Sequence, residues 1–95
     1  MPEFLAERYE PGLTMAAVEA AVGALGAAAV SLASAGGDVC FLGTTFVPGD
    51  EAAFSQFSGT SAAVVAAVHH LAEIPYERIV EVRSVRTPAR PTRST

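Results

Sequence analysis

The chain has 95 residues, 51% of them hydrophobic and 17% charged, with a formal net charge of −4. This length supports one domain with one core, and the apolar content excludes a disordered chain. The single cysteine excludes an internal disulfide framework and an all-cysteine zinc site.

Charge is unevenly spread. Residues 1–85 carry all ten acids and three arginines, whereas residues 86–95 carry three arginines and no acid. The acidic body argues against nucleic acid as a partner, because phosphate binding needs a basic face. The ending RTPARPTRST is rich in proline, threonine and arginine and is expected to be a disordered extension. The expected domain is therefore 1–85, with 86–95 as a tail.

Glu3–Tyr9 (EFLAERY) is a short strand candidate closed by Pro11-Gly12. Thr14 is a plausible N-cap for a helix whose apolar stripe runs through Met15, Val18, Val22, Leu25 and Leu32. The opposite side carries the small residues Ala16, Ala20, Gly23 and Ala27, so a second packing partner is expected there. Gly36-Gly37 ends the helix, glycine being free to enter the left-handed region.

The run 15–35 also mimics the hydrophobic region of a secretory signal, down to Ala33-Ser34-Ala35 as a small-residue site. Its flank is wrong for one, because residues 1–14 carry Glu3, Glu7 and Glu10 against Arg8 alone. Alanine and glycine dominate where a membrane span would use leucine. The expectation is a helix of a soluble protein with no membrane contact, and the cytoplasm as its address.

Val39–Val47 (VCFLGTTFV) is a strand apolar on both alternating faces, which implies that both are covered. Strict alternation puts Val39, Phe41, Thr45 and Val47 on one face and Cys40, Leu42, Thr44 and Phe46 on the other. Pro48-Gly49 suits a type II turn, and Glu51–Ser58 returns as the second arm of a hairpin. Thr60 or Ser61 caps a second helix running to Ala72, with Val64, Val68 and Leu71 on its buried side. Pro75 breaks the chain, and Arg78–Val85 (RIVEVRSV) is the last strand.

The order β-α-β-β-α-β predicts an α+β, ferredoxin-like two-layer sandwich, a four-stranded antiparallel sheet with two helices on one face. The other sheet face is then bare and apolar, an association surface. A homodimer through that face, of the dimeric α/β-barrel kind, is the expected assembly.

The opening MPEFLAERYEPG, the centre FLGTTFVPGDEAAF and the end IPYERIVEV resemble a family of small bacterial ferredoxin-like proteins of unknown function that includes a nickel-binding member. The resemblance covers roughly residues 1–85. It implies the same fold and a dimeric assembly. Metal-associated relatives carry a histidine in the second strand, where this sequence has Leu42-Gly43-Thr44, and another in the second helix, the region of His69 and His70.

Three constellations are candidates for chemistry. His69 and His70 point about 100° apart on a helix and cannot chelate one ion as i, i+4 histidines do. With Glu73 they form the candidate ligand set for nickel or another divalent metal, though no cofactor is required by the sequence. Glu7 and Arg8 sit on opposite faces of one strand, so one of them must point inward and find a partner. Glu7 reads either as half of a cross-strand ion pair or as a general acid/base in a lined cavity, with Tyr9, Gln56 and His69 as further ligand-binding or catalytic candidates. Cys40, flanked by Val39 and Phe41, is expected to fill the core.

Three functions remain open on the sequence. The first is a homodimeric protein that binds a small ligand or a nickel-type metal. The second is a cofactor-free enzyme of the oxygenase, isomerase or cyclase sort with a cavity between sheet and helices. The third is a non-catalytic structural subunit.

Overall fold

Alternation along Glu3–Tyr9 sends Phe4, Ala6 and Arg8 to one side of strand β1 and Glu3, Leu5, Glu7 and Tyr9 to the other. A computed structural model describes residues 1–85 together with 87 and 88, so the expected tail otherwise lies outside the described residues. After β1 come helix α1 (Met15–Ser34), strand β2 (Val39–Val47), a 3-10 turn (Pro48–Asp50) and strand β3 (Ala52–Gly59). Helix α2 (Ala62–Ala72) and strand β4 (Arg78–Val82) complete the order. The strands lie side by side as β2-β3-β1-β4, every neighbour antiparallel. This is the ferredoxin-like fold, and β1 is one of its two central strands.

Both helices cover the face that carries Phe4, Ala6 and Phe57. Leu25, Ala28 and Ala29 of α1 and Val65 and Val68 of α2 close the main core cluster with Val39, and Leu13, Val18 and Ala53 form a smaller one. Phe57, Leu25, Val65 and Val68 are the fully buried side chains of the main cluster. Thr14 caps α1 by accepting from Ala17 N–H (3.2 Å), and Ser61 caps α2 by accepting from Val64 N–H (3.4 Å). At the end of α1, Gly36 takes φ +99° and Gly37 N–H returns to Leu32 O at 2.9 Å, the closure expected of glycine there.

Several expectations are corrected. The core stripe of α1 runs through Val18, Ala21, Leu25, Ala28 and Ala29, while Met15 is exposed at the first turn. In α2 the inward residues are Val65, Val68 and His69, and Leu71 faces out. The element order is as expected, but β2 does not alternate strictly. Phe41 pairs with Phe57 and Gly43 with Gln56, so Leu42 is an extra residue without a partner on β3. This bulge puts Val39 and Phe41 on the same face as Thr44 and Phe46, and Gly43, at φ +137°, absorbs the backbone bend. Ahead of the bulge, Cys40 alternates with the inward Val39 and Phe41, faces the uncovered side opposite Ser58 and is exposed, which overturns its reading as core filling. The hairpin turn is a 3-10 turn closed by Glu51 in the left-handed region (φ 50°), in place of a type II turn on Pro48-Gly49.

By length and composition α1 could cross a membrane, with a mean hydropathy of 1.7 over its most apolar stretch. In the fold it lies along the sheet with one side buried. The strand before it, β1, pairs on both edges with β3 and β4, so removing residues up to Ala35 would take out the centre of the sheet. The side of Ala16, Ala20, Gly23 and Ala27 is exposed and has no partner among the described residues.

Helix α2 ends in a Schellman closure: Glu73 turns left-handed (φ 58°), Glu73 N–H returns to His70 O (3.2 Å) and Ile74 N–H to His69 O (3.0 Å). A side chain with a Cβ is strained there. Glu73→Gly is expected to stabilise the protein by about 1 kcal/mol, read as a raised urea midpoint with an unchanged m-value.

Candidate functional site

Between the helical layer and the sheet, four polar side chains converge in an otherwise apolar core. Arg8 comes from β1, Thr44 from β2, Ser55 from β3 and His69 from α2, and Ala6, Leu25 and Ile74 complete the wall. The strands deliver the first three because alternation puts Phe4, Ala6 and Arg8 on one face, and the register pairs Thr44 with Ser55 on that face. The cavity they enclose leaves about 10 Å³ for the centre of a water-sized sphere, which is the space of about one water molecule.

The hydroxyls of Thr44 and Ser55 satisfy each other at 2.8 Å. The other two groups are only half satisfied. Arg8 Nη2 donates to Glu10 Oε1 (2.9 Å) at the rim, while its Nε is buried without a partner among the described residues. The His69 residue is 3% exposed. Its Nδ1 lies 3.1 Å from Ile74 O, and its Nε2 is buried and unpartnered. A carbonyl oxygen only accepts, so Nδ1 carries the hydrogen of that contact. Burial holds the His69 pKa below its ordinary value, with the Arg8 charge acting in the same direction and the Ile74 hydrogen bond opposing both. The imidazole is therefore neutral near pH 7, and its Nε2 presents a lone pair. Phe57 and Tyr76 hold the ring edge-on, at centroid distances of 5.5 and 5.1 Å.

On the outer side of His69 an open groove of about 560 Å³ runs past His70, Glu73 and Tyr76. The groove and the inner cavity share His69, Ile74 and Pro75. A ligand in the groove would thus lie against His69 itself, with Arg8 on the far side of the shared wall.

Glu7, Tyr9 and Gln56 do not join this site. They lie on the uncovered face of the sheet, opposite His69, so the expected single cavity lined by Glu7, Tyr9, Gln56 and His69 is not formed. Glu7 is buried there under its own partners: Tyr9 Oη donates to Oε1 (2.8 Å) and Arg78 Nε to Oε2 (2.8 Å). Tyr9 contributes most to holding the Glu7 pKa below its ordinary value; burial opposes this, and Arg78 adds to it. The same hydrogen bond pushes the Tyr9 phenol up. Glu7 is a fully ionised half of a cross-strand pair, with Arg78 directly opposite in register. Gln56 Nε2 donates to Glu3 Oε1 at 2.6 Å.

The proposed metal ligands also fail to converge. Among the described residues no group of three His, Cys, Asp or Glu side chains could hold a metal ion. His70 and Glu73 are exposed, whereas the free nitrogen of His69 is buried. A guanidinium cation on the same side as the free imidazole nitrogen of His69 opposes a dication there electrostatically. The donor set does not fit nickel or another divalent ion.

Sequence reasoning did not single out Arg8, Thr44 and Ser55 as site residues. For Arg8 the signal was present, since it shares a parity with Phe4 and Ala6. For Thr44 it was hidden by the bulge, which moves this residue onto the helix-facing side.

The same fold occurs in SCO4226 from Streptomyces coelicolor A3(2), known from a crystal structure: the TM-score is 0.70 at 21% identity, over 88% of this chain and 99% of that one. No protein-family model and no curated protein matches the chain.

The buried neutral imidazole sets a pH dependence. The unfolded chain protonates His69 near its ordinary value of 6.5, and the folded chain does so only at lower pH. Stability is therefore expected to fall as pH drops from 6.5 towards the lowered folded value. In His69→Phe this slope disappears. Glu7, depressed below 4.5, acts in a separate window below that pH. Urea titrations between pH 4.5 and 8 isolate the His69 contribution; an identical slope in both proteins would contradict the assignment.

Proposed function

We propose that the chain is a homodimeric protein that binds a small molecule at the Arg8–His69 pair, between its helices and its sheet. The observation that supports this reading is the pair of buried, unpartnered nitrogens, one donor and one acceptor, on two residues that border one cavity. An unpaired buried polar group costs about 1–3 kcal/mol. Two in one small core are a standing cost that a stability-only design removes, and a bound ligand offsets it. The groove at Tyr76 has the size of a small-molecule site, roughly 300–1,000 Å³.

The dimer reading rests on the uncovered sheet face. Leu5, Phe54, Val47 and Val80 lie on it half-buried, and Leu42 stands exposed at its edge. The larger polar groups among them are already paired within the chain, Glu7 with Tyr9 and Arg78, and Gln56 with Glu3, which leaves the hydroxyls of Thr45 and Ser58. Covering this face with a second sheet about 10 Å away therefore strands few polar groups, which is the main obstacle to burying such a surface. The proposed compartment is the cytoplasm, where the exposed thiol of Cys40 stays reduced.

A second reading, a cofactor-free enzyme, is favoured by the same pair. A neutral imidazole with a free lone pair is a general base at neutral pH, and an adjacent guanidinium stabilises the anion that proton removal creates.

Light scattering is expected to give twice the chain mass of 9.8 kDa, and Val80→Lys, which puts a charge on the uncovered face, to give the monomer. A small-molecule panel screened by thermal unfolding is expected to contain a stabiliser. At 100 times its Kd a ligand adds about 2.7 kcal/mol, a shift on the order of 10 °C for a domain this small. Arg8→Met should abolish the shift. A monomeric wild type would overturn the assembly, and a ligand indifferent to Arg8→Met would overturn the site.

A further inference from the structure

We infer that the free edge of β2 binds an extended segment of another protein, apolar at alternate positions and carrying a basic residue at each end. This surface is separate from the Arg8–His69 pair and does not depend on the ligand or dimer readings. β2 is an edge strand, bonded to β3 alone, and its nine residues (VCFLGTTFV) include no charge and no proline. The opposite edge strand, β4, is guarded by Arg78 and Glu81. An uncharged edge offers its unpaired N–H and C=O groups to any extended chain that reaches it.

Beside this edge an open groove of about 360 Å³ runs between Gly26, Val30 and Ala33 of α1 and Val39, Cys40 and Phe41 of β2. Cys40 faces the uncovered side while Val39 and Phe41 face the helices, so a groove bordered by all three follows the outer edge of the strand. A strand added about 4.8 Å from β2 sends every second side chain under α1. Small helix residues leave room for it there. A Cβ at Gly26 would meet Phe41 Cδ2 at 3.8 Å, an ordinary contact, so packing inside the fold does not demand glycine. Glycine costs helix propensity, and what it provides in return is space on the groove side.

Charge decides the occupant. Asp38 precedes β2 and Asp50 follows it in the 3-10 turn; both are exposed, and neither belongs to an ion pair among the described residues. Antiparallel pairing with a second copy would set Asp38 of each chain beside the Asp50 turn of the other, like charge against like. The bulge at Leu42 also bends the edge. A second rigid sheet cannot follow that bend, whereas a single extended segment can. An apolar segment as long as β2, with arginine or lysine at each end, answers both acids.

The test uses the full chain labelled with 15N and a peptide of nine residues, the length of β2, alternating valine and threonine between two terminal arginines. The same peptide with terminal glutamates is the control. The expected result is saturable shifts and slowed hydrogen exchange at the β2 amides that point away from β3, with none at β4. Asp38→Asn combined with Asp50→Asn should weaken binding about fivefold, as the loss of two exposed ion pairs would. Gly26→Leu fills the groove and should weaken binding about tenfold, the worth of burying one valine side chain. Ala33→Leu, at an exposed position of the same wall, repeats that test if Gly26→Leu folds poorly. Shifts centred on β4, equal binding of the glutamate peptide, or no shift at millimolar peptide each overturn the proposal. Edge amides of β2 already protected in the free chain would show a second copy there and overturn it as well.

Discussion

Adjacent charges of opposite sign in the middle of a central strand are the constraint around which this fold is arranged. Glu7 and Arg8 must leave β1 on opposite faces, and each then needs a partner that the rest of the chain supplies. On the uncovered face Arg78 and Tyr9 hold Glu7. On the helix-facing side Glu10 takes one nitrogen of Arg8 at the rim, and the remaining buried nitrogen points into the core. Register enforces the first solution, because Arg78 of β4 lies directly across from Glu7. The second is incomplete, and the chemistry of the site follows from that incompleteness.

His69 shows how secondary structure and site are coupled. The Schellman closure at Glu73 brings Ile74 back over the end of α2, where its N–H returns to the His69 carbonyl and its own carbonyl accepts from the ring. The helix ending thus selects the tautomer. Phe57 and Tyr76 then hold the imidazole edge-on, so the free nitrogen is positioned by backbone hydrogen bonds and aromatic packing together. A histidine on an exposed turn, such as its neighbour His70, has none of these restraints.

The elements were largely legible in the residues. Phe4 and Ala6 alternate with Glu3 and Leu5, Thr14 and Ser61 are hydroxyl caps, and Gly36 ends the long helix; these are local signals, carried within a few positions of chain. The errors lie where one residue of offset changes a face. The unpaired Leu42 shifts the second half of β2 by one position, which brings Thr44 inside, onto the face of Val39 and Phe41 from which Cys40 alternates away. In α2 a small rotation puts His69 with Val65 and Val68 in the core and leaves Leu71 outside. Hydrophobicity alone could not set that rotation, because Ala62–Ala72 is apolar nearly all round.

The sequence by itself determined the order β-α-β-β-α-β, the caps, the uncovered sheet face and the need of Glu7 and Arg8 for partners, because these depend on local geometry and on the cost of burying charge. Only the tertiary structure decided which of the two enters the core, and that Arg8 of β1, His69 of α2, Thr44 of β2 and Ser55 of β3 line one cavity. Those residues are far apart in sequence and meet through the sheet register, the bulge at Leu42 and the rotation of α2. Each is settled by packing over the whole domain, so no window of sequence contains it.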